Sequence, residues 1–265
     1  MNCHVQLGCN YSPELIRLLE TGRSRVDWIK LSLRDTVWTE HAISSPFCPQ
    51  LLHTLPHASK RDFEDIDFDE INKQIKACKS PHIALHLLAK KEDWDADEVT
   101  DEEIIDRMLH VVLRWKKELE ADLLIENVPY YGFRGTFRCA TDPEVITRIC
   151  NEADIGLMLD LAHLRVAACH RGEEVDQYLE AMPLNRVREI HVCGPGMDPE
   201  RGYFRDRHLE MQETDYNLLE KSLALTTPVV VTLEYGGTGP IFEWRSEIDV
   251  LERQLNRLNN IVANN

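Results

Sequence analysis

The sequence predicts a single (β/α)8 TIM barrel spanning residues 1–265. Three observations carry that prediction. Eight short apolar runs alternate with segments of helical periodicity. Several runs are rich in Val, Ile and Leu without polar alternation, as expected of parallel strands covered on both faces. The length, 265 residues at 43% hydrophobic content, supports one large core and lies near the ~250 residues usual for such a barrel. Right-handed βα units close at eight, which ranks a doubly wound open sheet second.

The predicted strands, in order, are His4 to Cys9, Trp28 to Leu33, Leu51 to Leu55, Ile83 to Leu88, Leu123 to Val128, Gly156 to Leu161, Val187 to Val192 and Val229 to Leu233. Between them, helix starts are legible. Ser12-Pro13 pairs an N-cap with proline at the first helical position, and Thr100 to Glu103 has capping-box spacing. After Thr100, residues Ile104, Ile105, Met108, Val111, Val112, Trp115 and Leu119 repeat at helical spacing. Thr141-Asp142-Pro143 and the region of Asp215 open two more helices, and Ile248, Leu251, Leu255, Leu258 and Ile261 mark the last. The acidic stretches Asp62 to Glu70 and Glu92 to Glu103 read as solvated loop and helix-start surface. No repeat, low-complexity tract or Pro/Gly linker divides the chain.

Composition narrows the function. With 46 Asp and Glu against 30 Lys and Arg the formal charge is −16, which disfavours nucleic acid and anionic membrane as partners. No basic stretch leads into an apolar run at the N-terminus and no ~18-residue apolar segment occurs, so the expectation is a cytoplasmic protein. The eight cysteines, Cys3, Cys9, Cys48, Cys78, Cys139, Cys150, Cys169 and Cys193, form no Cys-x-x-Cys pair, and reduced, mostly buried thiols are expected.

In a TIM barrel the residues at the C-terminal strand ends converge on one site. Here the third run leads to His57, the fourth carries His86, the fifth Glu126, the sixth Asp160 with His163 just beyond, and the seventh His191. Asp206 and His208 follow in the next loop, and the eighth run ends at Glu234. A lone strand-end carboxylate is more often a cap than a ligand. Nine acid and imidazole residues at the mouths of six consecutive strands are a different matter, because a carboxylate closing a buried strand is costly unless a cation meets it. A multinuclear metal site is expected. His53, four residues before His57, competes for the third-strand position, since strand boundaries shift by ~2–4 residues in such readings. Cys193 shares strand parity with His191 and reads as a small core residue that could face the cavity. His4, His41, His82, His110 and His170 read as ordinary.

The segments Leu-Leu-Ile-Glu126-Asn-Val, Gly156-Leu-Met-Leu-Asp160-Leu-Ala-His163, Glu189-Ile-His191-Val-Cys-Gly, Asp206-Arg-His208-Leu and Val-Thr-Leu-Glu234-Tyr-Gly resemble the multinuclear non-haem iron-dependent oxidases. This is the family of the methanobactin-biosynthesis and thiaglutamate-pathway enzymes, with a xylose-isomerase-like barrel. The resemblance implies Glu126 as a bridge between two metals, His57 and His86 completing the first site, and Asp160, His191 and Glu234 the second. His163, Asp206 and His208 would form a third; relatives often carry Asn at the position of His163. Two or three iron ions, with O2 as co-substrate, are implied by the resemblance, because N/O ligation itself accommodates iron, zinc or manganese.

The implied reaction is oxidation of a cysteine in a precursor or carrier peptide, delivered with a small recognition-partner protein. Tyr130, Arg134, Arg165 and Tyr235 are expected to line the mouth and contact the substrate. Endonuclease IV and the sugar isomerases and epimerases share parts of the ligand order. Phosphodiester cleavage ranks lower, because setting aside the four proposed carboxylate ligands still leaves 42 acids against 30 bases, with no cationic track for phosphates. The isomerases share only the shorter set Glu126, Asp160, His191 and Glu234. A metal-binding protein without turnover is the reading from another class.

Overall fold

In the computed structural model, residues 4–60, 65–95, 98–133, 135–235 and 247–265 are described. Eight parallel strands close into a barrel: β1 (Gln6–Asn10), β2 (Trp28–Ser32), β3 (Gln50–His57), β4 (His82–His86), β5 (Asp122–Glu126), β6 (Gly156–Asp160), β7 (Val187–Val192) and β10 (Val230–Leu233). They stand in chain order around the ring, with β10 closing between β7 and β1. Each predicted run is a strand here, with ends moved by at most two residues. An antiparallel hairpin, β8 (Gly194–Met197) and β9 (Phe204–Leu209), stands outside the ring. In sequence that stretch reads as loop, because Gly194-Pro-Gly and Gly202 look like loop punctuation.

The expected helix signals act as read. Ser12 Oγ accepts from Leu15 N at 3.1 Å ahead of α1 (Pro13–Glu20). Thr100 and Glu103 exchange both capping-box bonds at the start of α4 (Asp101–Glu118), which buries Ile104, Ile105, Met108, Val111, Val112 and Trp115. Pro143 opens α5 (Pro143–Glu152). Asp215 lies in the first turn of α8 (Glu213–Leu225), reaching back to Gln212 N at 2.7 Å. Helices α2 (Val37–Ser44), α3 (Phe68–Cys78), α6 (Leu161–Arg171), α7 (Val175–Ala181) and α9 (Ile248–Ala263) complete the outer layer. No described helix is long and apolar enough to cross a membrane.

Alternation along the strands sorts the core into two parts. Outward residues such as Ile29, Leu31, Ile83, Leu85, Ile125, Leu159, Ile190 and Leu233 join the helices in one large apolar cluster. Inward, Ala84, Leu124 and Met158 form a separate small plug. Two residues further along each of those strands come His86, Glu126 and Asp160. The acidic stretches are less uniformly solvated than expected. Residues 62–64 lie outside the described part, Asp67 caps α3, and Asp93 is an acceptor for His57.

Candidate metal centre

Glu126 stands at the middle of the mouth, 1% exposed. Its two oxygens face different neighbours. Oε2 lies 2.7 Å from His53 Nε2 and 3.2 Å from His86 Nε2. Oε1 lies 3.5 Å from His163 Nδ1 and 3.6 Å from His191 Nδ1. His53 Nδ1 sits 2.8 Å from the Thr54 carbonyl. That contact makes Nδ1 the protonated atom and leaves Nε2 for the centre.

The third-strand histidine beside Glu126 is His53, not the expected His57. His57 Nε2 meets Asp93 Oδ2 at 2.9 Å, so His57 belongs to a loop brace, and His53 takes the position beside Glu126. The cause is a register shift: β3 advances from His53 to His57 while β4 advances only from Ala84 to His86. The extra residues include Pro56, which offers no ladder donor. Thr54 Oγ1 holds the bulge by donating to the Ala84 carbonyl at 2.8 Å.

Asp160 caps a helix with one oxygen and has the other buried beside Glu126 and His163. Oδ1 accepts from His163 N at 2.7 Å at the start of α6. Oδ2 is buried with no hydrogen-bond partner among the described residues. Asn127 fixes this corner through its side chain, donating to the Asp160 carbonyl at 2.9 Å and accepting from Asp160 N at 2.8 Å. His163 Nδ1 meets the Asn127 carbonyl at 2.9 Å, which turns Nε2 toward Asp206 Oδ2, 3.7 Å away. Asp206 Oδ2 is also 2.9 Å from His208 Nε2, and that nitrogen is 3.7 Å from Glu234 Oε2. His208 holds a left-handed backbone, φ 48°, a conformation costly for a non-glycine residue and frequent at functional sites.

His191 is set from below. Glu189, fully buried two residues earlier on β7, faces His191 Nε2 at 3.1 Å and His82 Nε2 at 2.5 Å, and accepts from Thr232 Oγ1. His191 Nδ1 therefore looks into the centre, 3.5 Å from Glu234 Oε1, with no hydrogen-bond partner among the described residues. Gly8 leaves room for this layer, since a Cβ there would stand 2.6 Å from Thr232 Oγ1.

Four buried carboxylates, Glu126, Asp160, Glu189 and Glu234, crowd this space with the partly buried Asp206. Burial pushes Glu126 up, but His86 and His53 outweigh it and hold the group well below the usual range. Asp160 has too little compensation. Burial, with Glu234, Glu126 and Asp206, raises it to about 7 against the opposing pull of His163. His191 is raised to about 10, because Glu234, Glu126 and Glu189 overcome burial and Lys30. One buried lysine joins them: Lys30 Nζ donates to Glu234 Oε1, and the surrounding carboxylates raise it despite its burial.

The donor set fits divalent metal ions. Ligand atoms of His53, Glu126 and His191 group within 4.8 Å, as do those of Glu126, Asp160 and His163, of Asp160, His191 and Glu234, and of Cys193, Asp206 and His208. Asp160 Oδ2 and His191 Nδ1, buried without hydrogen-bond partners among the described residues, are the atoms a cation would satisfy. Of the nine expected ligands, eight meet in this one space, and His57 does not.

The residues that sequence reading passed over are Lys30, Asn127, His82 and Glu189. Lys30 and Glu189 did leave a signal, each being a charge at an inward position of an apolar strand. Among the expected substrate contacts, Arg165 is engaged with Asp215 on α8, and Tyr235 is buried in the core at 4% exposure. Tyr130 is partly buried against the core, and Arg134 lies outside the described residues. The loop after β5, expected to line the mouth, carries an aromatic group that two residues from elsewhere in the chain, Tyr203 and His170, complete. Phe133 and Tyr203 stack edge to face at 4.9 Å, with Tyr131 and His170 beside them. Of the described cysteines, all seven are free, five of them buried, and Cys3 is outside the described residues.

Solved structures share the fold. A D-tagatose 3-epimerase-like protein superposes with TM-score 0.63 at 16% identity, over 98% of this chain and 100% of that one. The probable 3-DHS dehydratase of Bacillus anthracis gives 0.59 at 14%, over 97% and 99%. Relatives by sequence include a UPF0276 protein of Acaryochloris marina, 30% identical over 46% of this chain and 43% of its own length. A UPF0276 protein of Anaeromyxobacter sp. is 33% identical over 41% and 38%. The chain thus spans less than half the length of these relatives. A family profile described as RiPP precursor modification enzyme MbnB/TglH/ChrH matches residues 67–258, which includes all eight of the expected residues that meet at the mouth and, in Glu189, the carboxylate that orients one of them. The chain belongs to the MbnB/TglH/ChrH family of RiPP precursor modification enzymes.

Proposed function

We propose that this chain is a multinuclear iron-dependent oxidase that uses O2 to modify a cysteine in a ribosomally made precursor or carrier peptide. The observation that carries the reading is Glu126, whose two oxygens face separate imidazole groups. His53 and His86 would hold a first iron with Glu126. Asp160, His191 through Nδ1, and Glu234 would hold a second with the other Glu126 oxygen, and His163, Asp206 and His208 a third. Bound iron supplies the redox chemistry with O2 and a Lewis-acid position that favours a substrate thiolate.

The rest is the work of the chain. Glu189 and the Thr54 and Asn127 carbonyls set which nitrogen each imidazole presents. Lys30 holds Glu234 in place and offsets part of the carboxylate charge. The rim aromatics, with Tyr130, would seat the peptide, and the net charge of −16 favours a neutral or basic peptide over a polyanion. A small recognition protein would deliver that peptide. The sugar isomerase alternative leaves His53, His86, His163, Asp206 and His208 without a role.

Anaerobic purification followed by metal analysis should give at least two irons per chain. Adding a cysteine-containing peptide should drive oxygen consumption and a product mass change. Glu126→Gln should lose metal at two sites together; a folded wild-type protein with fewer than two irons, or a variant losing at most one, would sink the multinuclear reading.

A further inference from the structure

The five buried cysteines do not have the same surroundings. Cys9, Cys78, Cys139 and Cys150 belong to the large apolar cluster, as reduced structural thiols do. Cys193 is 2% exposed yet belongs to neither apolar cluster. It directly follows β7 with the inward parity of Glu189 and His191, and its neighbours are polar. Sγ lies 3.4 Å from Asp206 Oδ1. Asp160, whose Oδ2 is buried with no hydrogen-bond partner among the described residues, and Glu234 also act on it. Three carboxylates around a buried thiol make a poor environment for a thiol and a good one for a cation with ligands.

The spacing agrees. Two ligands of a tetrahedral ion, sulfur at ~2.3 Å and oxygen at ~2.0 Å, stand about 3.5 Å apart. Ligand atoms of Cys193, Asp206 and His208 lie within 4.8 Å of one another, and His163 Nε2 approaches Asp206 from the other side at 3.7 Å. Backbone packing holds Cys193 there. The next residue is Gly194, where a Cβ would stand 2.4 Å from the Glu210 carbonyl oxygen, so the strand can turn into the hairpin only with glycine at that point.

We propose that Cys193 is a metal ligand, forming with Asp206 and His208 a mixed thiolate, carboxylate and imidazole site for a divalent transition ion. The proposal deepens the multinuclear reading, changing its third site from N/O to N/O/S ligation. On binding, the Sγ–H bond breaks, the proton leaves to solvent and a sulfur–metal bond forms, with no change in oxidation state. The burial and carboxylates that hold the Cys193 thiol well above its ordinary range are overcome by the ion itself, since a coordinated thiol is deprotonated outright. A thiolate donor selects iron, cobalt or zinc over magnesium and calcium at this position. With His163 as fourth donor the site would be closed, as structural sites are, and O2 and substrate would be left to the other two.

Anaerobic loading with Co2+ tests this without reference to turnover. The wild-type protein should develop a near-ultraviolet thiolate-to-cobalt absorption band that saturates at one equivalent. Cys193→Ala and Cys193→Ser should lose the band entirely, with circular dichroism confirming the fold. Asp206→Asn, which keeps the thiol, should weaken the same cobalt at least tenfold. Cobalt bound to the wild-type protein with no such band, or a band that survives in Cys193→Ala, overturns the proposal. Two or more cobalts without the band leave the multinuclear reading standing, whereas the band with only one cobalt bound sinks that reading and keeps the Cys193 site. No cobalt bound at all removes both.

Discussion

His53 and His57 show what a single residue position decides. In a regular strand the two would share a face, four residues apart, and sequence alone gives no preference between them. The β3 bulge breaks the tie by placing His53 against Glu126 and His57 against Asp93. The two alanine variants should therefore separate cleanly. His53→Ala should lose one iron per chain by metal analysis. His57→Ala should keep the full metal count while melting lower, because a partly buried hydrogen bond worth ~1–2 kcal/mol is removed. Metal loss from the His57 variant with none from the His53 variant would restore the original assignment. Eight of the nine positions that meet at the mouth were legible, five because each is a polar residue at the end of an apolar run, and His163, Asp206 and His208 because they follow such a run closely in the chain. Glu189 and Lys30 had the same character but lie deeper in their strands, where a reading confined to strand ends does not look.

The elements of the ring were legible for the same reason that the hairpin was not. Every barrel strand carries outward apolar residues that must pack on helices, and Ile83 with Leu85 or Ile190 with Val192 announce themselves. The β8–β9 hairpin packs over α6 and the mouth rather than inside a sheet; Gly194, Pro195 and Gly196 serve close approach, which sequence expresses as loop composition. Gly194 is where that approach is tightest. Gly194→Ala puts a methyl group 2.4 Å from the Glu210 oxygen, and overpacking of this kind costs ~1–3 kcal/mol. The variant should melt a few degrees lower and release one metal, that of the Asp206 and His208 group, while the other sites stay filled. Retention of every metal at wild-type melting temperature would show that the hairpin does not hold that group. Thr100, by contrast, belongs to an exposed capping box, and its loss would cost only ~1 kcal/mol with no change in metal content.

At the scale of the whole molecule the mouth of the barrel is an acidic well whose charge is offset by protons. Without metal, the fold keeps a proton on Asp160 up to about 7 and on His191 up to about 10, and the carboxylates around His163 raise it well above its ordinary range. Each of these protons occupies a lone pair that a metal ion needs, so metal and protons compete. Between pH 7 and 9 the imidazole protons must be released on binding; below pH 7 the Asp160 proton joins them. Apparent affinity should therefore rise with pH, by about tenfold per unit for every proton displaced. Calorimetric titration of the metal-free protein with Fe2+ or Co2+ in two buffers of different protonation enthalpy measures that number directly. More than one proton released per chain at pH 7.5, and steeper dependence at pH 6.5 than at pH 8.5, are expected. Tighter binding at lower pH, or no proton release, would mean that the ions bind elsewhere than in this well.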